Sequence, residues 1–550
     1  MASVEYHQLI QQSQIASKAI IRQAKNFDGV NAALGIAKRL IHFTRHHPQA
    51  ALVAVNTLRQ ESGLSAPLPL RMALIMTVLG QRSKLNDHYL QHLSAAAYML
   101  FCTGSYHKDT QTLHFDKSLV QGLKKQLKKR HLSIWQKIFA AYPLLSRPHF
   151  IKYLKSPALK ESQWWALVSA HISIHFKDSF FPVLRQIALH SPLLREPAFT
   201  AWVDYPGNIW PGAQVATSPH SLILLAKDES HCALVKQKQG ERKFIVRDIV
   251  DQPALRYVGF DQWWELIQRF ETQVDAFIAY QPGGRAYPLS HPPSSLLNIV
   301  DLLHEAEIEI DTLVSKLEAE PAFANALKSA ASTDNRMQLP VNDVKQAVLT
   351  FGLERVGDML IREALVQRLT QNHFPLSRTC QNILAVSANL SSLIAAECDS
   401  SLTPQSASLI SSFMVAPLFS LPALKVLPEF IHNDNHLHSI NKLVALKTAN
   451  PFVDFAAELA SNWHLPAQHR AILLQLDRYP ADTRASQQKD VAVVMLSLIW
   501  TRQWLFCPDN NDAATLEALR QCLHILSLSD KTASVYREKL SHLLYSALPV

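Results

Sequence analysis

Histidine and carboxylate side chains at alternate positions are the first feature of this sequence that could do chemistry. Ile431-His432-Asn433-Asp434-Asn435-His436-Leu437-His438 spaces His432, Asp434, His436 and His438 two residues apart. On an extended backbone those four would share a side and could hold zinc or copper. The segment is polar and Asn-rich, however, and reads as a surface loop, where the entropy lost on ordering opposes a fixed site. The expectation is therefore no bound metal and no cofactor, with these four residues as the cluster to test. His171 and His175, at i and i+4, would lie on one helical face, but Ile172, Ser173 and Ile174 between them lack the Glu of a zinc-protease helix. Packed or hydrogen-bonded histidines are expected there and at His46-His47. The sequence contains no P-loop, dinucleotide fingerprint or G-x-S-x-G, and Gln281-Pro282-Gly283-Gly284 lacks the lysine and helix cap of a phosphate cradle. No catalytic residue is put forward.

Other chemistries are bounded by composition. Cys102, Cys232, Cys380, Cys398, Cys507 and Cys522 are scattered without a C-x-x-C pair, so they read as reduced, mostly buried thiols and not as a disulfide framework or zinc knuckle. The formal net charge of +9 is modest for 550 residues. Its one concentration, Lys124, Lys125, Lys128, Lys129 and Arg130, spreads over adjoining helical faces and reads as a solvated surface, which weighs against nucleic acid as a partner. Val491–Trp500 and Phe413–Leu424 are too short or too Pro-broken for the roughly 20 residues a bilayer span needs. With no leader pattern after Met1, a cytoplasmic protein without membrane insertion is expected.

The elements that must position these residues are mostly helices. Glycine is scarce, 14 in all, and long stretches carry apolar residues at helical spacing. Hydrophobic residues make up 48% of the chain, ample for several cores at about 100–200 residues each. From about Tyr205 to Val258 the pattern changes: Leu222–Leu225, Ala233–Val235 and Phe244–Val246 are short β-type runs parted by turn residues. Gln281–Pro293 then opposes both helix and strand with four prolines and a Gly pair, and Ser294 or Ser295 can cap a new helix bearing Leu296, Ile299, Val300 and Leu303. The resulting division is 1–200, helical; 201–260, a small β-rich appendage; 261–293, a helix and Pro/Gly linker; and 294–550, a second helical domain. The fold class expected is mainly α, with two multi-helix domains and a small antiparallel β insert in the N-terminal half.

An ordered series in the C-terminal half resembles the HDOD family, a helical signalling module related in shape to HD phosphohydrolases. Ala319-Glu320-Pro321-Ala322-Phe323 leads to Leu327–Ser332, Val341–Val348 leads to Phe351-Gly352, Gln405–Leu418 takes the place of the family's Gly-Leu-Leu-His-Asp-like segment, and Glu458–Pro466 is similar to its helix running into Trp-x-Leu-Pro. Departures accompany the matches. Val415-Ala416 stands where the metal-binding His-Asp pair would lie, Ala331 replaces the usual Asn, Gln475-Leu476-Asp477 stands where a His pair often ends the module, and His-Asp occurs nowhere in the sequence.

The N-terminal half is similar, more loosely, to an HD-GYP phosphodiesterase. Leu79–Leu85 followed by Leu93–Gly104 matches the approach to its metal motif, with Phe101-Cys102 in place of His-Asp; Ala170–Leu189 and the β segment after Tyr205-Pro206 match its later helix and small β appendage, and the Gly-Tyr-Pro loop is absent. Together these resemblances imply two HD-like domains used as binding surfaces in a bacterial regulatory protein. They imply signalling or regulatory proteins as partners, leave room for a nucleotide ligand, and imply no enzyme activity. The rival readings are a metal-dependent phosphohydrolase with unusual ligands and a basic nucleic-acid-binding protein.

Overall fold

Small residues at close spacing let helices of the first half approach one another closely. In the computed structural model the Asp87–Phe101 helix, capped by Asn86 accepting from His88 N, has every side chain from Leu93 to Phe101 fully buried. Ala95-Ala96-Ala97 keeps it slim, Thr77 Oγ1 and Ser94 Oγ hydrogen-bond at 3.0 Å between it and the Pro67–Arg82 helix, and a Cβ on Gly80 would come within 2.5 Å of Leu90 Cδ1. Burial of an apolar helix on all sides identifies the centre of a core.

The structure describes residues 2–22, 28–60, 67–107, 112–217, 220–228, 231–238, 241–248, 253–277, 287–303, 305, 309–334, 340–428, 452–506, 512–529 and 531–544. They fall into two compact units. The first comprises Met1–Ala286 with Asn372–Phe374 and Val426–Pro428, and the second comprises Tyr287–Gln371, Pro375–Lys425 and Glu429–Val550. Both are mainly helical, and the described strands form small antiparallel sheets in the first unit, as expected from the sequence.

In the first unit, helices Ala2–Arg22, Gly29–His46, Pro48–Gln60, Pro67–Arg82 and Glu161–His175 pack around the Asp87–Phe101 helix or its neighbours. Buried Arg71 ties two of them. Its Nε donates to Val55 O at 2.8 Å, and its Nη atoms donate to Ser173 O and, at 3.5 Å, Phe176 O, carbonyls at the open C-terminal end of the Glu161–His175 helix. Burial lowers the Arg71 pKa to about 9. Close by in sequence, Trp164 and Trp165 meet edge to face at 5.3 Å and both contact Trp202.

The β segment forms five strands, β3 (Ala213–Thr217), β4 (His220–Lys227), β5 (His231–Lys238), β6 (Glu241–Asp248) and β7 (Arg256–Tyr257), following a separate hairpin of β1 (Gly104–His107) and β2 (Thr112–Phe115). The larger sheet runs β6-β5-β4-β3-β7, all antiparallel. Its middle strand is buried from Leu222 to Lys227 because helices cover it: Trp263 Nε1 donates to Leu225 O at 3.0 Å, and the Gln49 amide exchanges two hydrogen bonds with the Lys227 backbone, at 2.8 and 3.2 Å. The three apolar runs lie in β4, β5 and β6.

Two details add to the sequence division. At the edges of the β-rich 201–260 stretch, Ala201–Asp204 completes the Glu196–Asp204 helix and Phe260 begins the next. The 261–293 stretch holds two helices where one was expected, Phe260–Arg269 and Glu271–Phe277, because Phe270 leaves helical geometry and ends the first. Of the linker, Gln281–Ala286 lies outside the described residues, and Tyr287–Leu289 is held: Tyr287 N donates to Gln371 Oε1 at 2.9 Å, Arg368 Nη1 to Pro288 O at 2.8 Å, and Trp463 Nε1 to Leu289 O at 2.8 Å.

In the second unit, helices Ser377–Glu397, Pro404–Val415 and Gln488–Leu505 make the centre. Thr403 accepts from Ser406 N at 3.1 Å and Pro404 opens the middle helix, which is buried from Ser406 to Val415. Helices Val344–Phe351 and Leu353–Thr370 meet at Gly352, whose φ of 76° and ψ of 157° only glycine adopts without strain. Trp500 and Trp504 stack at 6.0 Å with rings 9° from parallel.

Candidate functional site

A divalent cation needs lone pairs from oxygen, nitrogen or thiolate, so the two positions that the sequence resemblances align with a metal-binding pair are read from the atoms that stand there. Val415 ends the Pro404–Val415 helix and Ala416 is its C-cap; both are fully buried, and neither side chain has a donor atom. Ala331 is likewise fully buried. In the first unit Phe101 ends its helix and Cys102 caps it. Burial pushes the Cys102 thiol up to about 12, with hydrogen bonds to Ser17 and Tyr98 only partly opposing, so it stays protonated at neutral pH. The residues at both positions do not fit a metal.

The histidine clusters separate by environment. His432, Asp434, His436 and His438 lie outside the described residues. His171 and His175 do share a face, with ring centroids 4.4 Å apart, and His171 hydrogen-bonds Gln186 Oε1 at 2.9 Å. Burial first, then the neighbouring His175, holds the His171 pKa down to about 3, so it is a neutral packed residue. His46 Nδ1 bonds the His42 carbonyl at 2.9 Å, while His47 lies 3.5 Å from Glu5. No group of three or more metal-ligating side chains occurs among the described residues.

The basic run sits on the Lys117–Lys129 helix, which buries Leu119, Val120, Leu123 and Leu127 and leaves Lys125, Lys128 and Lys129 exposed on the remaining faces. Arg130 is taken by Asp28 at 2.9 Å, and Lys124 lies 5.9 Å from the Tyr142 ring centroid. This is a solvated helix face with two of its five cations engaged. None of the described helices is long and apolar enough to cross a membrane.

Two features escaped the sequence reading. Leu189, Leu193 and Leu194 are 60%, 88% and 58% exposed where the Phe181–Leu189 helix turns toward Glu196–Asp204. In the second unit Arg362 and Gln405 line one cavity. No motif marks either; a short leucine run and an arginine on an amphipathic helix are ordinary in sequence.

No protein-family model matches the chain. No curated protein matches it either. Among solved structures, an HDOD domain protein from Geobacter sulfurreducens aligns at 15% identity over 50% of this chain and 96% of its own, with a TM-score of 0.31. The MmoQ response regulator from Methylococcus capsulatus aligns at 16% identity over 48% of this chain and 100% of its own, with a TM-score of 0.25. A proposed signal transduction protein from Marinobacter aquaeolei aligns at 16% identity over 57% of this chain and 75% of its own, with a TM-score of 0.31. At these TM-scores the likenesses do not place the chain in a family.

Proposed function

We propose that this chain is a non-catalytic regulatory protein that acts through protein contacts on HDOD-like helical surfaces. The observation that carries the reading is that Val415 and Ala416, which the HDOD resemblance aligns with the cation-holding pair of an HD phosphohydrolase, are aliphatic and fully buried. Hydrolysis in that shape depends on a metal-bound water, and a helix end without donor atoms cannot retain the metal. What such a scaffold keeps is surface, and a fold can bind without reacting. The exposed Leu189, Leu193 and Leu194 support protein contact as the mode of action, because several large apolar side chains left in water within six residues of sequence offer apolar surface to a partner.

The test uses the full-length chain. Supplied with Mg²⁺, Mn²⁺ or Zn²⁺ and offered cyclic dinucleotides and a generic phosphodiester, it should give no turnover above that of the metal alone. Metal-dependent turnover that disappears in His432→Ala/His436→Ala/His438→Ala would overturn the reading and move the site to that segment. For the binding half, a partner recovered by the wild type and lost by Leu189→Ser/Leu193→Ser supports it, whereas a partner set indifferent to that change counts against this surface.

A further inference from the structure

The larger sheet of the first unit ends on β6, its order being β6-β5-β4-β3-β7. β5 and β6 pair from Lys238 opposite Glu241 to His231 opposite Asp248 without a register shift. In such a pair every second residue of the outer strand turns its N–H and C=O away from its neighbour. No backbone group of the described residues meets that outer edge of β6. The opposite edge of the sheet is β7, with only two residues. An open strand as long as β6 is a template for another strand unless something guards it. β6 contains no proline and no bulge, so charge is what guards it.

That charge is one-sided. The Phe244 ring lies 6.0 Å from that of Phe270, so the even-numbered side chains of β6 are on the side of the Phe260–Arg269 helix end. Lys243, Ile245 and Arg247 project from the other face. Lys243 and Arg247 are exposed, and no carboxylate among the described residues pairs with either. Lys243 also stands directly opposite Lys236 of β5, a like-charge pair that weakens its own ladder. A strand added beside β6 relieves this repulsion when it sets carboxylates against Lys243 and Arg247. A second copy of β6 does not: the antiparallel register that uses the whole strand sets Arg242 against Arg247 and Glu241 against Asp248.

We propose that the outer edge of β6 takes up an extended acidic segment of another protein as an added strand, with a carboxylate opposite Lys243, an apolar residue opposite Ile245 and a carboxylate opposite Arg247. The pattern acidic-x-apolar-x-acidic reads the same in both directions, so it fits β6 in either orientation. Backbone hydrogen bonds supply the attachment, and the two carboxylates select the partner. The inference adds a surface to the regulatory reading without resting on it, because the exposed leucines and the HDOD-like helices take no part.

Fluorescence anisotropy of the full-length protein tests it, with a labelled synthetic peptide matched in length to β6 and built of threonine and valine around an Asp-x-Val-x-Asp core. The peptide should bind saturably, and lysine in place of both aspartates should weaken it at least about tenfold. Two N-methylated forms, blocked at alternate amides, separate strand pairing from charge. One should lose binding at least about tenfold and the other keep it, because only every second N–H faces β6. In Lys243→Glu/Arg247→Glu the preference should invert, with the lysine peptide bound and the aspartate peptide rejected. Lys243→Glu sets a carboxylate opposite Lys236, so this variant should melt no lower than the wild type. Four results would each overturn the proposal: no saturable binding at millimolar peptide, an equal response to both N-methylated forms, no inversion in the folded variant, or a wild-type dimer that dissociates in Lys243→Glu/Arg247→Glu.

Discussion

Arg71 shows how much one side chain can hold in place while leaving no trace in the sequence. It sits in Leu70-Arg71-Met72 within an apolar run, where a charged residue ordinarily points to solvent, yet it is buried because two helix segments direct backbone carbonyls at one point. Replacing it by methionine keeps volume but strands those acceptors; Arg71→Met should lower stability by about 3 kcal/mol in urea unfolding, and a loss under about 1 kcal/mol would show that water replaces it. His171 makes a prediction about pH. Its folded pKa of about 3 lies below the ordinary value of 6.5, so between those limits the unfolded chain binds a proton that the folded chain refuses. Its contribution to stability is therefore complete above about pH 6.5 and falls as pH drops toward 3. His171→Gln should flatten the acid side of the stability profile between pH 6.5 and 4, and an unchanged profile would mean that His171 is solvated. At this scale the sequence is weakly legible. The i, i+4 spacing of His171 and His175 gave their shared face correctly, but the environment that makes them packed residues comes from Phe150 and Gln186, distant in sequence.

Secondary elements are more legible, because their boundaries are written in local chemistry. Pro404 after Thr403 and the glycine at 352 both mark element ends where such residues belong. Thr403→Ala removes the acceptor for Ser406 N and should cost about 1 kcal/mol. Gly352→Ala meets open space, so any loss reports backbone strain alone; about 1–3 kcal/mol is expected, and a neutral result would show that the two helices can meet at a different angle. The three apolar runs that mark the β segment are legible for the same reason, being long enough to show β-type composition. β1 and β2 were missed because four residues each, Gly104–His107 and Thr112–Phe115, are too few to show a period, and β7 has only two. These short strands exist because partners already in place complete their ladders, which is tertiary information.

On the scale of the whole chain, the Pro- and Gly-rich stretch at 281–293 is the best candidate for first proteolytic attack by composition, but its latter part is tied to the second unit through Gln371, Arg368 and Trp463. Limited proteolysis should therefore cut first before Tyr287, within 281–286, and a first cut inside Val341–Leu369 would contradict the division of the chain. The placement of tryptophans adds an optical consequence. Trp463, Trp500 and Trp504 belong to the second unit and the other seven of ten to the first, so total emission is weighted toward the first unit. Trp500 and Trp504 stack in the second unit, while Trp164, Trp165 and Trp202 cluster in the first, so near-ultraviolet circular dichroism carries contributions from neighbouring indoles of both units. Trp504→Phe should therefore remove the stacked pair's share of that signal while leaving most of the emission unchanged, and the difference between wild-type and variant spectra on heating follows the second unit.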